Sequence, residues 1–326
     1  MRLLVTRALA LVALVSVLTG CTTRAVLAPR EPTPGVPHRT GMRFNGPRDE
    51  AGDAGTVSAI GEPDADIVCL QEITPAWERA VRERYATQYP YMVIAPQDDA
   101  GGLAVLSRFP LEDHGIMRFQ DDWHPAMRVV AETPAGRVQV VHVHLRSMFE
   151  GRSNPLASFV KRSGDHLSEI RTYKGQAEAG IPTIVAGDFN ENQKGKAVRW
   201  LEARGFQNAL RLYRPRQHTW RGRTITRPVK MTIDHVLFDQ SFEPLDAWVA
   251  RRGASDHYPV LAHLEVPAAA VSLGPDPAPA APTTSETLAA PLRAADEAPG
   301  AIEADGEEID PDELRDPADT LVEPPR

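Results

Sequence analysis

The stretch Ile181-Pro-Thr-Ile-Val-Ala-Gly-Asp-Phe-Asn190 reads as an apolar run of strand length that ends abruptly in Gly187, Asp188 and Asn190. Side chains alternate along a strand, so an acid and an amide two residues apart are expected on one face. Gly, Asp and Asn are also ordinary turn residues, and taken alone the cluster predicts a turn. Its company decides the matter, because other apolar runs in the chain end in the same kind of residue.

Asp66-Ile-Val-Cys-Leu-Gln-Glu72 is a continuous apolar run of the kind buried on both faces, and it ends in Gln71 and Glu72. A carboxylate at the end of a buried strand needs a partner, a cation or a metal. Met42-Arg-Phe-Asn45 is a short strand-like piece closed by Gly46 and Pro47, and Gly102 to Pro110 is a strand with Ser107 and Arg108 at its end. Met127 to Glu132 and Arg137 to Leu145 predict a hairpin around Pro134-Ala-Gly136. In its second arm His142 and His144 share a face; His144, at the strand end, is the candidate for chemistry, and the deeper His142 keeps a structural reading. Met231 to Phe238 places Asp234 and His235 on opposite faces, so at most one of them looks into a common site. Ser255, Asp256 and His257 precede the last apolar run, Val260 to Leu264. Helical periodicity covers Pro75 to Tyr85, Asn154 to Ala179 and Gly195 to Gly205, with a brief helix within Thr56 to Gly61. By themselves these elements predict a mixed α/β domain.

Both ends fall outside that pattern. Arg2 and Arg7 precede the apolar run Ala8 to Leu18 and then Leu18-Thr19-Gly20-Cys21, the layout of a secretory signal too short to span a bilayer. This start resembles bacterial lipoprotein precursors, which implies cleavage after residue 20, lipid on Cys21 and, with Thr22 next, an outer-membrane, periplasmic or cell-surface location. Residues 21–40 are expected to be a tether and 41–266 the folded domain. From Ala268 to Arg326 there are 14 Asp or Glu against 3 Lys or Arg, and almost no aromatic residues. Residues 267–326 therefore read as a solvated acidic, Pro/Ala-rich tail. The tail carries −11 of a whole-chain −8, and setting Arg2 and Arg7 aside leaves the domain near +1. The acidic balance of the chain thus says little about the domain's partners. With Cys21 lipidated, Cys69 has no partner for an intrachain disulfide.

Arg211 to Lys230 holds seven Arg or Lys and no acid, interleaved with Tyr213, His218 and Trp220. It reads either as a solvated basic loop or as a phosphate-facing surface, where guanidinium forks match phosphate and rings stack on bases.

Asn45, Gln71-Glu72, Ser107-Arg108, His144-Leu145, Gly187-Asp188-Phe189-Asn190, Ile233-Asp234 and Ser255-Asp256-His257, in that order and spacing, resemble the endonuclease/exonuclease/phosphatase superfamily across Gly41 to Val266. The resemblance implies a four-layer αββα sandwich of two packed mixed β-sheets, an α/β (α+β) fold. It implies a magnesium ion, with manganese as a substitute, held by Glu72 with Asn45 nearby and Asp256 at or near it. It further implies that Asp188 orients and deprotonates a water, Asn190 holds a phosphate oxygen, Asp234 fixes the tautomer of His257, and His144 contacts the scissile phosphate or assists the leaving group. Arg108 and Trp220 are expected to bind substrate. The family's inositol-phosphatase branch usually carries Trp before Gly-Asp and an Asp-Arg pair near the end; Val185-Ala186 and Asp234-His235 stand here instead. The resulting expectation is a monomeric, membrane-tethered phosphodiesterase without an evident protein partner, a nuclease ahead of a phospholipid or sphingomyelin hydrolase. A catalytically inactive surface-binding lipoprotein is the reading from another class.

Overall fold

Two sheets, each built round one parallel pair of strands, face each other across an apolar gap. The computed structural model describes residues 26–46, 51, 53–120, 124–147, 155–223 and 228–266. The expected signal segment, Cys21 and the acidic tail lie outside the described residues. In chain order the elements are β1 (His38–Asn45), α1 (Ala54–Gly61), β2 (Ile67–Gln71), α2 (Pro75–Tyr85), β3 (Tyr91–Ala95), β4 (Leu103–Ser107), β5 (Leu111–Met117), β6 (Ala126–Thr133) and β7 (Gly136–His144). There follow α3 (Pro155–Gly175), β8 (Thr183–Asp188), α4 (Lys196–Glu202), β9 (Gln207–Asn208), α5 (Ala209–Tyr213), β10 (Trp220–Arg223), β11 (Pro228–Met231), β12 (Asp234–Phe238), β13 (Glu243–Val249) and β14 (Val260–Glu265). The first sheet runs β13-β14-β1-β2-β4-β3 and the second β5-β6-β7-β8-β12-β9, while β10 and β11 form a separate hairpin. Only β1 with β2 and β7 with β8 pair in parallel among the described strands.

Alternation along the strands sorts the side chains into three apolar layers. Cys69, Leu103, Val105, Met127, Val129, Val140, Ala186, Val236 and Val260 fill the gap between the sheets. Met42, Phe44, Val68 and Leu70 point the other way, onto Ile60 of α1 and Trp77, Val81 and Tyr85 of α2. Val141, Val143, Val185 and Leu237 cover the outside of the second sheet with Ile170 and Tyr173 of α3 and Val198 and Leu201 of α4. Helix, sheet, sheet, helix is the four-layer sandwich that the family resemblance implied. Helix α2 begins where Thr74 accepts from Trp77 N and Pro75 supplies a first-turn φ, and Glu78, Arg82 and Arg84 keep its outer side in water.

The main departure concerns the chain before residue 41. Strand β1 starts at His38, and the segment ahead of it is docked rather than hanging as a tether. Leu27 N donates to Leu212 O, Arg30 N to Leu245 O, and Thr33 N to the Glu265 carboxylate. Pro-rich composition hid this, because such a strap bonds through its backbone and shows no periodicity. Strands β3, β5 and β13 also went unread, being short, polar or irregular. Among the described residues no helix is long and apolar enough to cross a membrane.

The parallel pairs matter for function because they end together. The carboxyl ends of β1 and β2 (Asn45, Gln71) face those of β7 and β8 (His144, Asp188), and β12, antiparallel to β8, sets Asp234 opposite Asp188. Gly187 makes this closeness possible: a Cβ there would lie 1.8 Å from Val143 O, at a φ of +157°. Gly187→Ala is expected to cost about 3 kcal/mol, the range of a forced backbone shift in a packed core. Urea unfolding monitored by circular dichroism should show the midpoint falling at unchanged slope.

Candidate active site

Strands β1, β2, β7, β8 and β12 each bring a buried polar side chain to this end of the sandwich: Asn45, Gln71, His144, Asp188 and Asp234. Asp234 begins β12 and is fully buried; its own N–H and that of Ile233 both donate to Thr219 Oγ1 at 3.1 Å, which fixes the strand's start. His257 follows the Ser255 turn, where Ser255 Oγ accepts from His257 N at 3.1 Å and donates to Asn45 O at 2.8 Å. His257 Nδ1 then donates to both carboxylate oxygens of Asp234, at 2.9 and 3.1 Å. His257 Nε2 therefore faces outward, 3.6 Å from Asp188 Oδ2.

Asp188 is held from the other side. Its Oδ1 accepts from Asn190 N at 2.8 Å, an Asx turn, so the turn reading of this stretch holds as geometry. Asn190 does not continue the strand as the alternation argument expected. Strand β8 stops at Asp188 and Asn190 turns at φ +48°, with Nδ2 donating to Leu145 O at 2.9 Å. His144 Nδ1 donates to Ala100 O at 3.0 Å, which turns Nε2 toward Asp188 Oδ2, 3.9 Å away. Two imidazole Nε2 atoms thus converge on a single carboxylate oxygen.

Burial and charge set these groups apart. Burial alone would depress the His257 imidazole, but Asp234 and Asp188 outweigh it and carry it up to about 9. Burial raises Asp188 above the usual carboxylate range, helped by the neighbouring charge of Asp234. Asp234 is burdened by the same burial, yet Arg43 and His257 hold it below that range. His144 is lowered by burial, against the pull of Glu72. At neutral pH the site accordingly pairs an imidazolium at His257 with a neutral imidazole at His144. Because neutral His144 donates at Nδ1, its Nε2 is an acceptor, and contact with a phosphate oxygen requires protonation first.

Two of the three oxygen donors expected for a metal, Asn45 and Glu72, meet at the mouth of β1 and β2. Asn45 Nδ2 donates to Glu72 Oε1 at 3.1 Å, setting an amide and a carboxylate side by side, the hard-oxygen chemistry that a divalent cation takes. Asp256 lies one residue from His257, and its Oδ2 accepts from Trp220 Nε1 at 2.8 Å. A second group, Asp188, Asp234 and His257, offers ligand atoms all within 4.8 Å of one another. A cation there would displace the proton on His257 and compete with the guanidinium on Asp234, so Asn45 and Glu72 fit the ion better.

Two expectations move. Arg108 lies at the far end of the first sheet, because β4 runs antiparallel to β2 and its carboxyl end meets the start of that strand. There Arg108 pairs with Asp64 and with Asp66 (Nη1 to Oδ1, 3.4 Å), which removes it from the substrate side. The basic stretch is also less basic than it reads: Arg211 pairs with Glu202 at 2.9 Å and Arg214 with Asp246, acids brought from elsewhere in the chain. Trp220 does reach the site. Its ring stands edge-to-face with His257 at 6.5 Å between centroids and lies over Gly222, where a Cβ would come within 2.0 Å of the indole. Sequence reasoning missed Arg43, Thr219 and His124, whose ring packs edge-on against His144 at 5.0 Å. For Arg43 the signal was present, since it stands two residues from Asn45 and so shares its face.

The chain matches the endonuclease/exonuclease/phosphatase family over residues 41–257 and belongs to it. It is therefore a divalent-metal-dependent phosphoesterase of that family. No curated protein matches it in sequence. Solved structures share the fold at low identity. An endonuclease/exonuclease/phosphatase from Beutenbergia cavernae is 18% identical with a TM-score of 0.55, over 71% of this chain and 72% of that one. TDP2 from C. elegans is 16% identical with a TM-score of 0.51, over 70% and 75%. D. rerio TDP2 complexed with a single-strand DNA product is 14% identical with a TM-score of 0.51, over 70% and 98%.

The raised pKa of His257 has a stability consequence. The contribution of its ion pairs is fully present below the unfolded value near 6.5 and is lost as pH rises through about 9. Urea unfolding at stepped pH should show stability falling across that window in the native sequence, and the fall should be absent in His257→Gln.

Proposed function

We propose that this protein is a magnesium-dependent nuclease, exported and tethered to a membrane through lipid on Cys21. The observation that carries the catalytic part is the convergence of His257 Nε2 and His144 Nε2 on Asp188 Oδ2, at 3.6 and 3.9 Å, beside the Asn45–Glu72 pair. A cation held by Glu72 and Asn45 would neutralise charge growing on the phosphate. Asp188, its Oδ1 engaged by Asn190, takes a proton at Oδ2 from the attacking water; burial makes it a stronger base than an exposed carboxylate. The imidazolium of His257, turned by Asp234, donates from Nε2 to a phosphate oxygen and is pre-set in orientation before substrate arrives. Asn190 and Leu145 fix the depth at which Asp188 stands.

Nucleic acid is favoured over a lipid headgroup by Trp220. An indole braced by Asp256 and Gly222 beside the catalytic imidazole is a platform on which a base stacks. The anchor rests on the sequence from Arg2 to Cys21 alone.

The test uses protein lacking residues 1–20 with Cys21→Ser, assayed on plasmid DNA, RNA, sphingomyelin and a chromogenic phosphodiester. Chelator is expected to abolish turnover, and Asp188→Asn to lower kcat by about 1000-fold. Trp220→Ala should weaken an oligonucleotide's binding by about 1–3 kcal/mol. Cleavage of sphingomyelin without nucleic acid would overturn the substrate choice, and full activity in chelator the mechanism. In cells, Cys21→Ser should release the protein from membranes.

A further inference from the structure

The reaction as derived leaves the buried guanidinium of Arg43 unused. Arg43 sits on β1 at 0% exposure, on the strand face that also carries Asn45, in a gap otherwise lined by Cys69, Val105, Val236 and Val260. An arginine in such a place is costly unless its charge is met. It is met across the gap: Nη1 lies against Asp234 Oδ1 on β12 of the opposite sheet. Its Nη2 donates to Gln71 Oε1 at 2.6 Å on the neighbouring strand, and Gln71 Nε2 in turn donates to His142 Nε2 on β7. One guanidinium therefore anchors two cross-sheet links, and the first ends on the carboxylate that orients His257.

We infer that Arg43 is a positioning residue for phosphoester hydrolysis, holding Asp234 aimed at His257 Nδ1 so that His257 Nε2 stays turned toward Asp188 and the substrate. Arg43 touches neither substrate nor the Asn45–Glu72 pair; it acts through Asp234. The Arg43 Nη1 contact is an ion pair without an aligned hydrogen bond, so the charge matters more there than the fork of donors. The fork matters on the Gln71 side, where it sets the spacing of β1 and β2 ends against β7. His142, given a structural role by the sequence, has that role here, as the far terminus of this second link.

The inference rests on the phosphoesterase reading, and the experiment separates the two. Native protein, Arg43→Met, Arg43→Lys, Asp234→Asn and the double variant Arg43→Met/Asp234→Asn are compared, full length after residue 20. Turnover of a chromogenic phosphodiester with magnesium by the native protein tests the reading; the variants test the inference. Arg43→Met is expected to lower kcat by about 100-fold with KM within about threefold. Because both residues act as one unit, the double variant should be no more than about threefold worse than the poorer single one. Arg43→Lys, which keeps the charge, should recover at least about tenfold of the loss. Independently of activity, proton NMR should show the downfield Nδ1–H resonance of His257 in the native protein and in Arg43→Lys, and its loss in Arg43→Met. Loss in the double variant equal to the product of the single losses, loss confined to KM, or an unaltered His257 resonance in Arg43→Met would overturn the inference. Should Arg43→Met fail to fold, the cycle of Arg43→Lys with Asp234→Asn decides on the same criterion.

Discussion

Arg43 and Asp234 are both wholly buried, and neither charge could remain in the gap between the sheets without the other. The pairing forces the carboxyl end of β1 to stand against the start of β12, and this fixes how the two sheets meet at the site. From there the groups alternate in type outward, Arg43, Asp234, His257, Asp188, so each basic group in this low-dielectric space stands against a carboxylate. The backbone supports it at the points where the chain cannot be straight, the Ser255 turn, the Thr219 bracket on Asp234 and the Asx turn of Asp188.

How much of this was readable in the sequence depends on whether a residue announces itself locally. Asp188, His144 and Glu72 stand at the ends of apolar runs, which marked them as candidates, while their gathering into one site, with Asp234, was implied by the family resemblance. Helix α2 carries its cap, its proline and its apolar stripe in eleven residues, and its predicted span is the observed one. Arg108 misled because a strand end has no direction in sequence: only the antiparallel pairing of β4 with β2 shows that its end is the distal one. The basic stretch misled for a related reason, since Glu202 and Asp246 pair with Arg211 and Arg214 from other elements. Arg43 was hidden in plain sight, an arginine in a four-residue strand fragment whose partner lies 191 positions further along the chain.

The β10–β11 hairpin joins this catalytic edge to the surface. Trp220 bridges to His257 through the backbone, and Arg221 N donates to Asp256 O at 2.8 Å while its guanidinium lies over the Tyr258 ring at 5.0 Å. The same backbone contacts that set Trp220 beside His257 therefore also brace the Ser255–Tyr258 segment.

In the proposed division of labour Asp188, Asp234 and His257 do the acid–base work and the divalent ion is held by Glu72 and Asn45. A buried Asp/Asp/His cluster is otherwise an attractive metal site, and only the arginine behind it and the proton within it argue against that use. Anomalous diffraction from crystals soaked in manganese distinguishes the two arrangements directly. A peak is expected within coordination distance of the Glu72 carboxylate and the Asn45 amide oxygen, with His257 still donating to Asp234. A peak ligated by Asp188, Asp234 and His257 would contradict it.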